Sequence, residues 1–308
     1  MTSRMSSITS TALIISSRSR HYVVKLMFLG AALGLIVAAA GLALYIGAAR
    51  WSAATSRLTE RLSEPRAANA LKRVRFQELE GLPAPVVRYF RLVLKDGQPL
   101  VRSAKLIQAG EFRRGEADAA WQPFESKQSF SAGTPGFVWD AAIRVAPLLD
   151  VRVRDGYVDG QGSMQAKLMG LVTVVDERGK PELNSGALQR YLAEAVWFPT
   201  ALLAGRGVTW SAIDDQTALA TLTDSGTTVS LQFQFDAAGE ITGVFTPGRY
   251  REVNGRYQLT PWAGFFGRYE ERMGMRIPVE AYVEWQHAGE KLPYWRGRIV
   301  EVEYEFEE

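Results

Sequence analysis

Three carboxylates stand among aromatics or glycines: Asp140 after Trp139, Asp155 before Gly156-Tyr157, and Glu194 three residues before Trp197. A carboxylate in such surroundings either bonds a structural partner, such as Arg190 or backbone amides, or does acid–base work. Acid–base work needs two groups converging on one pocket, and the sequence shows no recognisable pair. The two histidines, His21 and His287, have no partner pattern, so neither a Ser-His-Asp triad nor a histidine metal site is supported. The chain has no cysteine, which excludes disulfides, thiol catalysis and cysteine-bound metals. Asp155-Gly156-Tyr157-Val158-Asp159-Gly160-Gln161-Gly162 lacks the residue order and the distal glutamate of a calcium loop and reads as a Gly-rich hairpin. Neither a dinucleotide fingerprint nor a phosphate-binding loop is present. These residues assign no catalytic group, no metal and no cofactor.

Binding chemistry is better represented. The stretch Arg190-Tyr191-Leu192-Ala193-Glu194-Ala195-Val196-Trp197-Phe198 sets one ion pair into a strongly apolar segment. Arg190 and Glu194, four apart, can pair on one helix face, either as a solvated pair or at the rim of an apolar cavity. The candidate ligand-binding residues are Arg190, Tyr191, Leu192, Glu194, Trp197 and Phe198, with Trp139 and Asp140 from a neighbouring strand. Eight tryptophans give a sheet that has either a thick core or a lined cavity.

The element that positions these residues is a helix. Leu188, Tyr191, Leu192 and Ala195 fall at i, i+3, i+4 and i+7. Asn184 or Ser185 can cap its start, and Pro199 ends it near Trp197. Around it the period is two. Phe137, Trp139, Ala141 and Ile143 alternate with Val138, Asp140 and Ala142. Val229, Leu231, Phe233 and Phe235 alternate with polar residues, and Val300, Val302, Tyr304 and Phe306 alternate with glutamates. Met164, Ala166, Leu168 and Val172 read as one face of a single long strand. Asn254-Gly255 is a hairpin turn. Such alternation implies antiparallel sheet with one buried face. The expected fold is α+β, mainly β. It is a large curved antiparallel sheet, a half-barrel of about ten strands, with one apolar helix inserted against its concave side.

The 308 residues are 47% hydrophobic and 22% charged, which suits one globular domain with appendages. The net charge of +3 is spread out, so nucleic acid is not an expected partner. Leu26 to Ala49 is an uncharged run long enough to span a bilayer. A cleaved signal peptide would have a shorter apolar region, so an uncleaved anchor is expected, although Gly47-Ala48-Ala49 resembles a cleavage site. Basic residues flank both ends; the expected orientation puts the N-terminus inside and the domain outside the cytoplasm. Gly30 and Gly34 form a GxxxG pair of the kind that Gly/Ala-rich spans contain by composition. The expected organisation is a disordered cytoplasmic tail over 1–25, a transmembrane helix over 26–49, a helical linker over 50–81 and a β-rich domain over 82–308. Within the linker, Trp51 to Leu62 and Ala67 to Leu79 look helical, and Pro85 opens a further helix carrying Val86, Val87, Phe90 and Val93.

Several strings also carry a family likeness. Arg190-Tyr191-Leu192-Ala193-Glu194 with Trp197-Phe198-Pro199-Thr200-Ala201-Leu202-Leu203 resembles the signature of an uncharacterised bacterial membrane-anchored family, a domain of unknown function. Pro85-Val86-Val87-Arg88-Tyr89, Trp121-Gln122-Pro123-Phe124, Pro135-Gly136-Phe137-Val138-Trp139-Asp140 and Tyr294-Trp295-Arg296-Gly297 match as well. The resemblance covers about Leu82 to Tyr304 and implies no activity and no catalytic residues. More loosely, the expected fold is similar to the half-barrel of bacterial lipoprotein carriers, which implies acyl chains on the concave face. The partners expected on this reading are the membrane and a lipid or other apolar small molecule. The function expected is non-catalytic binding, against two alternatives: a carboxylate-dependent hydrolase and a structural protein of the cell envelope.

Overall fold

The computed structural model describes residues 6–64, 72–114, 118–287 and 289–308. Two compact units divide the chain, Met1–Arg50 and Trp51–Glu308. Helix α1 runs from Ser6 to Ser63, so it takes in the apolar run together with residues read as tail and as linker; residues 1–5 lie outside the described residues. Among the described residues one helix is long and apolar enough to cross a membrane, by length and composition. Of the helix expected over 67–79, residues 67–71 lie outside the described residues, and the rest holds only a 3-10 turn at Phe76–Leu79.

The second unit is one antiparallel sheet. Its elements are α2 (Ala84–Val93), β1 (Val101–Phe112), β2 (Gln122–Ser131), β3 (Gly136–Ala146), β4 (Leu149–Val158), β5 (Gln161–Leu168) and β6 (Val172–Arg178). After α3 (Pro181–Glu194) come β7 (Val208–Ala212), β8 (Thr217–Asp224), β9 (Thr227–Phe235), β10 (Ile241–Val253), β11 (Arg256–Arg272), β12 (Met275–His287) and β13 (Glu290–Phe306). The spatial order is β6-β5-β4-β3-β2-β1-β13-β12-β11-β10-β9-β8-β7. Two meanders are thus joined by the β1–β13 pair, and α3 connects the two outer edges.

That connection curls the sheet. In the strand order β5 is second and β9 eleventh, nine spacings apart, or roughly 43 Å if the sheet were flat. Helix α3 packs against β3, β4 and β5 and also against β9 and β10. A helix about 10–12 Å across reaches both flanks only if the sheet wraps around it. The result is the expected half-barrel, with thirteen strands rather than about ten.

Part of the shortfall lies in turns. The single strand read from Met164 to Val172 is two, β5 and β6, because Met169 and Gly170 both take positive φ (53° and 71°) and fold a tight hairpin there. Leu148, at the β3–β4 tip, also takes a left-handed conformation (φ 61°), which leucine does not advertise. The last strand differs too. A register shift opposite Ile107 and Gln108 inserts Val300 as an extra residue, so Val300 faces out and Ile299 takes the buried place. The hairpins at Asp159-Gly160 and Asn254-Gly255 form as expected.

Helix α3 starts at Pro181 rather than at Asn184 or Ser185. Proline suits the first helical position because its missing N–H is unneeded there. The segment after it winds into 3-10 turns at Ala195–Trp197 and Pro199–Leu202. Leu188, Leu192, Val196, Phe198 and Leu202 are fully buried, and α2 adds Val86, Tyr89 and Phe90 to the same core. On the outer face, Trp51, Thr55, Leu58 and Leu62 form one stripe of α1. Leu58 and Leu62 pack against Val138 and Val158.

Candidate functional site

Alternation on β3 sends Phe137, Trp139, Ala141 and Ile143 to the concave face and Val138, Asp140 and Ala142 to the convex face. Two polar clusters follow, one on each face.

The concave cluster is built on Arg190. Its Nη1 donates to Asp155 at 2.6 Å and its Nε to Glu194 at 2.8 Å. The guanidinium lies over the rings of Phe137 (4.9 Å) and Trp139 (5.0 Å). Glu194 also accepts from Gln128 Nε2 at 2.7 Å. Gln128 accepts from Gln108 Nε2 at 3.1 Å, and Gln108 Oε1 accepts from Ser126 and from Trp139 Nε1 at 3.0 and 2.9 Å. Gln108, Gln128 and Ser126 are almost wholly buried, but Arg190, Glu194 and Asp155 keep 17%, 14% and 23% of their side-chain surface in solvent. One guanidinium serves two carboxylates there. Burial pushes the Glu194 carboxyl above its usual range despite Arg190, with Asp155 adding to the push. Burial opposes the Arg190 charge, but Glu194 and Asp155 outweigh it and hold the guanidinium above its ordinary value.

A second arginine enters the same face from β10. The Arg249 guanidinium lies over Trp262 (4.7 Å) and Trp285 (6.0 Å). Arg251 also lies over Trp285, at 5.8 Å. Burial lowers the pKa of Arg249, and the charges of Arg190, Asp155 and Glu194 all reach it. Trp262 Nε1 donates to Tyr294 Oη at 2.9 Å, Tyr294 stacks on Trp285 at 5.7 Å, and Phe112 meets Tyr294 edge-on at 6.3 Å. A parallel run links Trp139 to Phe124 and Phe124 to Trp295. Phe112, Trp285, Tyr294 and Trp295 are only partly buried. The concave face is therefore sealed around α3 and leaves an arginine-topped aromatic wall beyond it.

The convex cluster holds Asp140. It accepts from Trp51 Nε1 at 2.9 Å and Thr55 Oγ1 at 2.6 Å. Arg154 donates to Trp51 O, Thr55 Oγ1 and Gln165 Oε1, and its guanidinium covers the Trp51 ring at 4.4 Å. This cluster clamps the Trp51–Ser63 end of α1 to the sheet.

The eight expected residues therefore separate. Arg190, Glu194 and Trp139 meet in the concave cluster. Asp140 lies on the other face and cannot share a ligand with them. Tyr191, Leu192, Trp197 and Phe198 are core: Tyr191 Oη donates to Ser131 O, Phe198 packs on Phe130, and Trp197 O accepts from Tyr304 Oη. Two surface grooves lie elsewhere. One of about 780 Å³ is lined by Trp121, Phe265, Tyr282 and Arg296, and one of about 950 Å³ by Thr55, Thr59, Lys105, Asp140 and Arg152. Of the eight residues, only Asp140 lines either groove.

Sequence reasoning missed Arg249. Its position depends on a register shift: Thr246 pairs with Trp262, but Arg249 pairs with Thr260. Strict alternation from Thr246 would point Gly248 inward, whereas the bulge turns Arg249 in. The flanking Pro247-Gly248 pair is the local signal that a ladder is interrupted there.

The fold and site define a β half-barrel wrapped on an internal helix, with a cationic aromatic wall. The chain belongs to the family described as "Family of unknown function (DUF6920)", which matches residues 80–304. Among solved structures, it is similar to a LolA superfamily protein from Nitrosomonas europaea at 10% identity, covering 73% of this chain and 94% of that one, with a TM-score of 0.38. It is also similar to a β-barrel-like protein of the domain of unknown function DUF1849 from Brucella abortus. That likeness covers 67% of this chain and 98% of that one at 10% identity, with a TM-score of 0.21. No curated protein matches the chain.

Proposed function

We propose that the domain is a non-catalytic binding module that takes a lipid or other apolar ligand on the concave wall, and that Leu26 to Ala49 anchors it in a membrane with the domain outside the cytoplasm. One observation carries the reading. Phe112, Trp285, Tyr294 and Trp295 stay partly uncovered on a concave face whose other part is covered by α3. Aromatic area left open in a concavity is what a ligand site needs, because covering it returns about 25 cal/mol per Å². The hydrolase reading is less well supported: Asp155 and Glu194 each give an oxygen to the Arg190 guanidinium, and the second oxygen of Glu194 accepts from Gln128. The test is mild detergent extraction of the full-length protein followed by native mass spectrometry. A co-purifying lipid at near one-to-one ratio supports the reading, and a bare chain that also fails to take up a fluorescent fatty acid contradicts it. Protease accessibility in spheroplasts tests the orientation: digestion of the domain in intact spheroplasts agrees, and protection contradicts.

A further inference from the structure

Arg249 differs from the other inward arginine. Arg190 is neutralised by two carboxylates at 2.6 and 2.8 Å. Among the described residues Arg249 makes no ion pair or hydrogen bond through its side chain, and its Nη1 is sealed from solvent without an acceptor. An uncompensated cation in such a position costs several kcal/mol unless something binds it. Water is a poor substitute for charge here, since the guanidinium rests on Trp262 and is hemmed in by Trp285. Arg251, two residues along the same strand, shares Trp285 with it. Asp155 and Glu194, whose charges reach Arg249, are both bonded to Arg190, so Arg249 has no carboxylate of its own, and Arg251 brings a further guanidinium over Trp285. Below them runs the half-open wall of Trp285, Tyr294 and Phe112.

A cationic patch set directly on an apolar wall fits one ligand chemistry. We propose that Arg249, assisted by Arg251, is a head-group subsite that takes the carboxylate or phosphate oxygens of an anionic amphiphile whose chain lies along the Trp285–Tyr294–Phe112 wall. This rests on the binding reading above and adds the charge of the ligand to it. A guanidinium presents donors in a planar fork that matches both oxyanions, so the two head groups share one recognition chemistry.

The test uses delipidated full-length protein in detergent, with dibrominated stearate and its methyl ester as tryptophan-quenching probes and inorganic phosphate as a competitor. A charged hydrogen bond predicts that the acid binds at least about ten-fold more tightly than the ester. In Arg249→Met the preference should fall to within about two-fold with ester affinity unchanged, and Arg249→Lys should keep part of it. Phosphate alone should not displace the acid; displacement would make this a free-anion site and overturn the amphiphile assignment. Equal affinity of acid and ester in the wild type, or an unchanged preference in Arg249→Met, would overturn the subsite while leaving apolar binding intact. Quenching by neither probe would instead remove the binding reading itself. Arg249→Met should lower the melting point by at most a few degrees, since it loses ring contacts with Trp262 and Trp285 but no hydrogen bond or ion pair. A melting point lowered by many degrees would show Arg249 to be structural and overturn the proposal.

Discussion

Replacing Arg190 with Met keeps most of the apolar stem and removes only the charge and its fork of donors. Two charge-assisted hydrogen bonds disappear, to Asp155 at 2.6 Å and to Glu194 at 2.8 Å. Two part-buried carboxylates lose the cation bonded to them. Removing one partner of a buried pair costs about 3–5 kcal/mol. The three side chains retain between 14% and 23% of their surface, so the low end applies, about 3 kcal/mol. For a domain of this size that lowers the melting point by roughly 6–12 °C. The assay is thermal unfolding of the detergent-solubilised full-length chain, followed by near-ultraviolet circular dichroism. The pH dependence gives a second handle. Burial already holds the Glu194 carboxyl above its usual range, and without Arg190, which opposes that push, it rises further above its unfolded value. Such a group is most stabilising below its unfolded pKa and loses that contribution as pH rises through the folded value. The gap between variant and wild type should therefore shrink as pH falls from about 7 to about 4. Adding Glu194→Gln and Asp155→Asn to Arg190→Met should recover more than half of the loss. A drop below about 1 kcal/mol at neutral pH, or a gap that widens in acid, would refute the claim that one guanidinium holds both carboxylates.

Other consequences follow from the same packing. Asp140→Ala strips Trp51 and Thr55 of their acceptor and removes one of the carboxylates that favour the Arg154 charge, so residues 51–63 should exchange amide hydrogens at least about ten-fold faster by mass spectrometry, with β9 and β10 unaffected. Leu192→Gln buries an unsatisfied amide at a fully buried position and should cost about 2–5 kcal/mol in the same melting assay, with no specific loss of ligand affinity. Gly162→Ala places a Cβ 2.5 Å from Leu183 O, a backbone atom of the first turn of α3, so it should destabilise by about 1–3 kcal/mol.

Much of this fold is visible in the sequence because it rests on two periods. Phe137-Trp139-Ala141-Ile143 marks a one-sided strand, and Leu188-Tyr191-Leu192 a buried helical stripe; both packed as read. Strand number was legible only where turns carry glycine or asparagine, as at Asn254-Gly255. Leu148 and Met169 themselves take positive φ, which side chains of these types do not signal. The site was half legible. An arginine and a glutamate four apart on a helix announce a pair, and Trp139 follows by parity. Asp140 was misgrouped for the same reason of parity: adjacent strand residues face opposite ways. Arg249 was hidden by a bulge, and its environment is made by Trp262 and Trp285, from strands whose register with it no local pattern reveals.

On the proposed binding reading, ligand lies on the concave wall beyond α3. Photo-crosslinking the full-length protein with a diazirine-bearing fatty acid, followed by peptide mapping, locates the ligand directly. Adducts concentrated on Phe112, Trp285, Tyr294 and Trp295, and abolished by excess unlabelled fatty acid, are the predicted result. Adducts confined to 26–49 or to the outer groove of Phe265 and Tyr282, with the concave wall unlabelled, would contradict it.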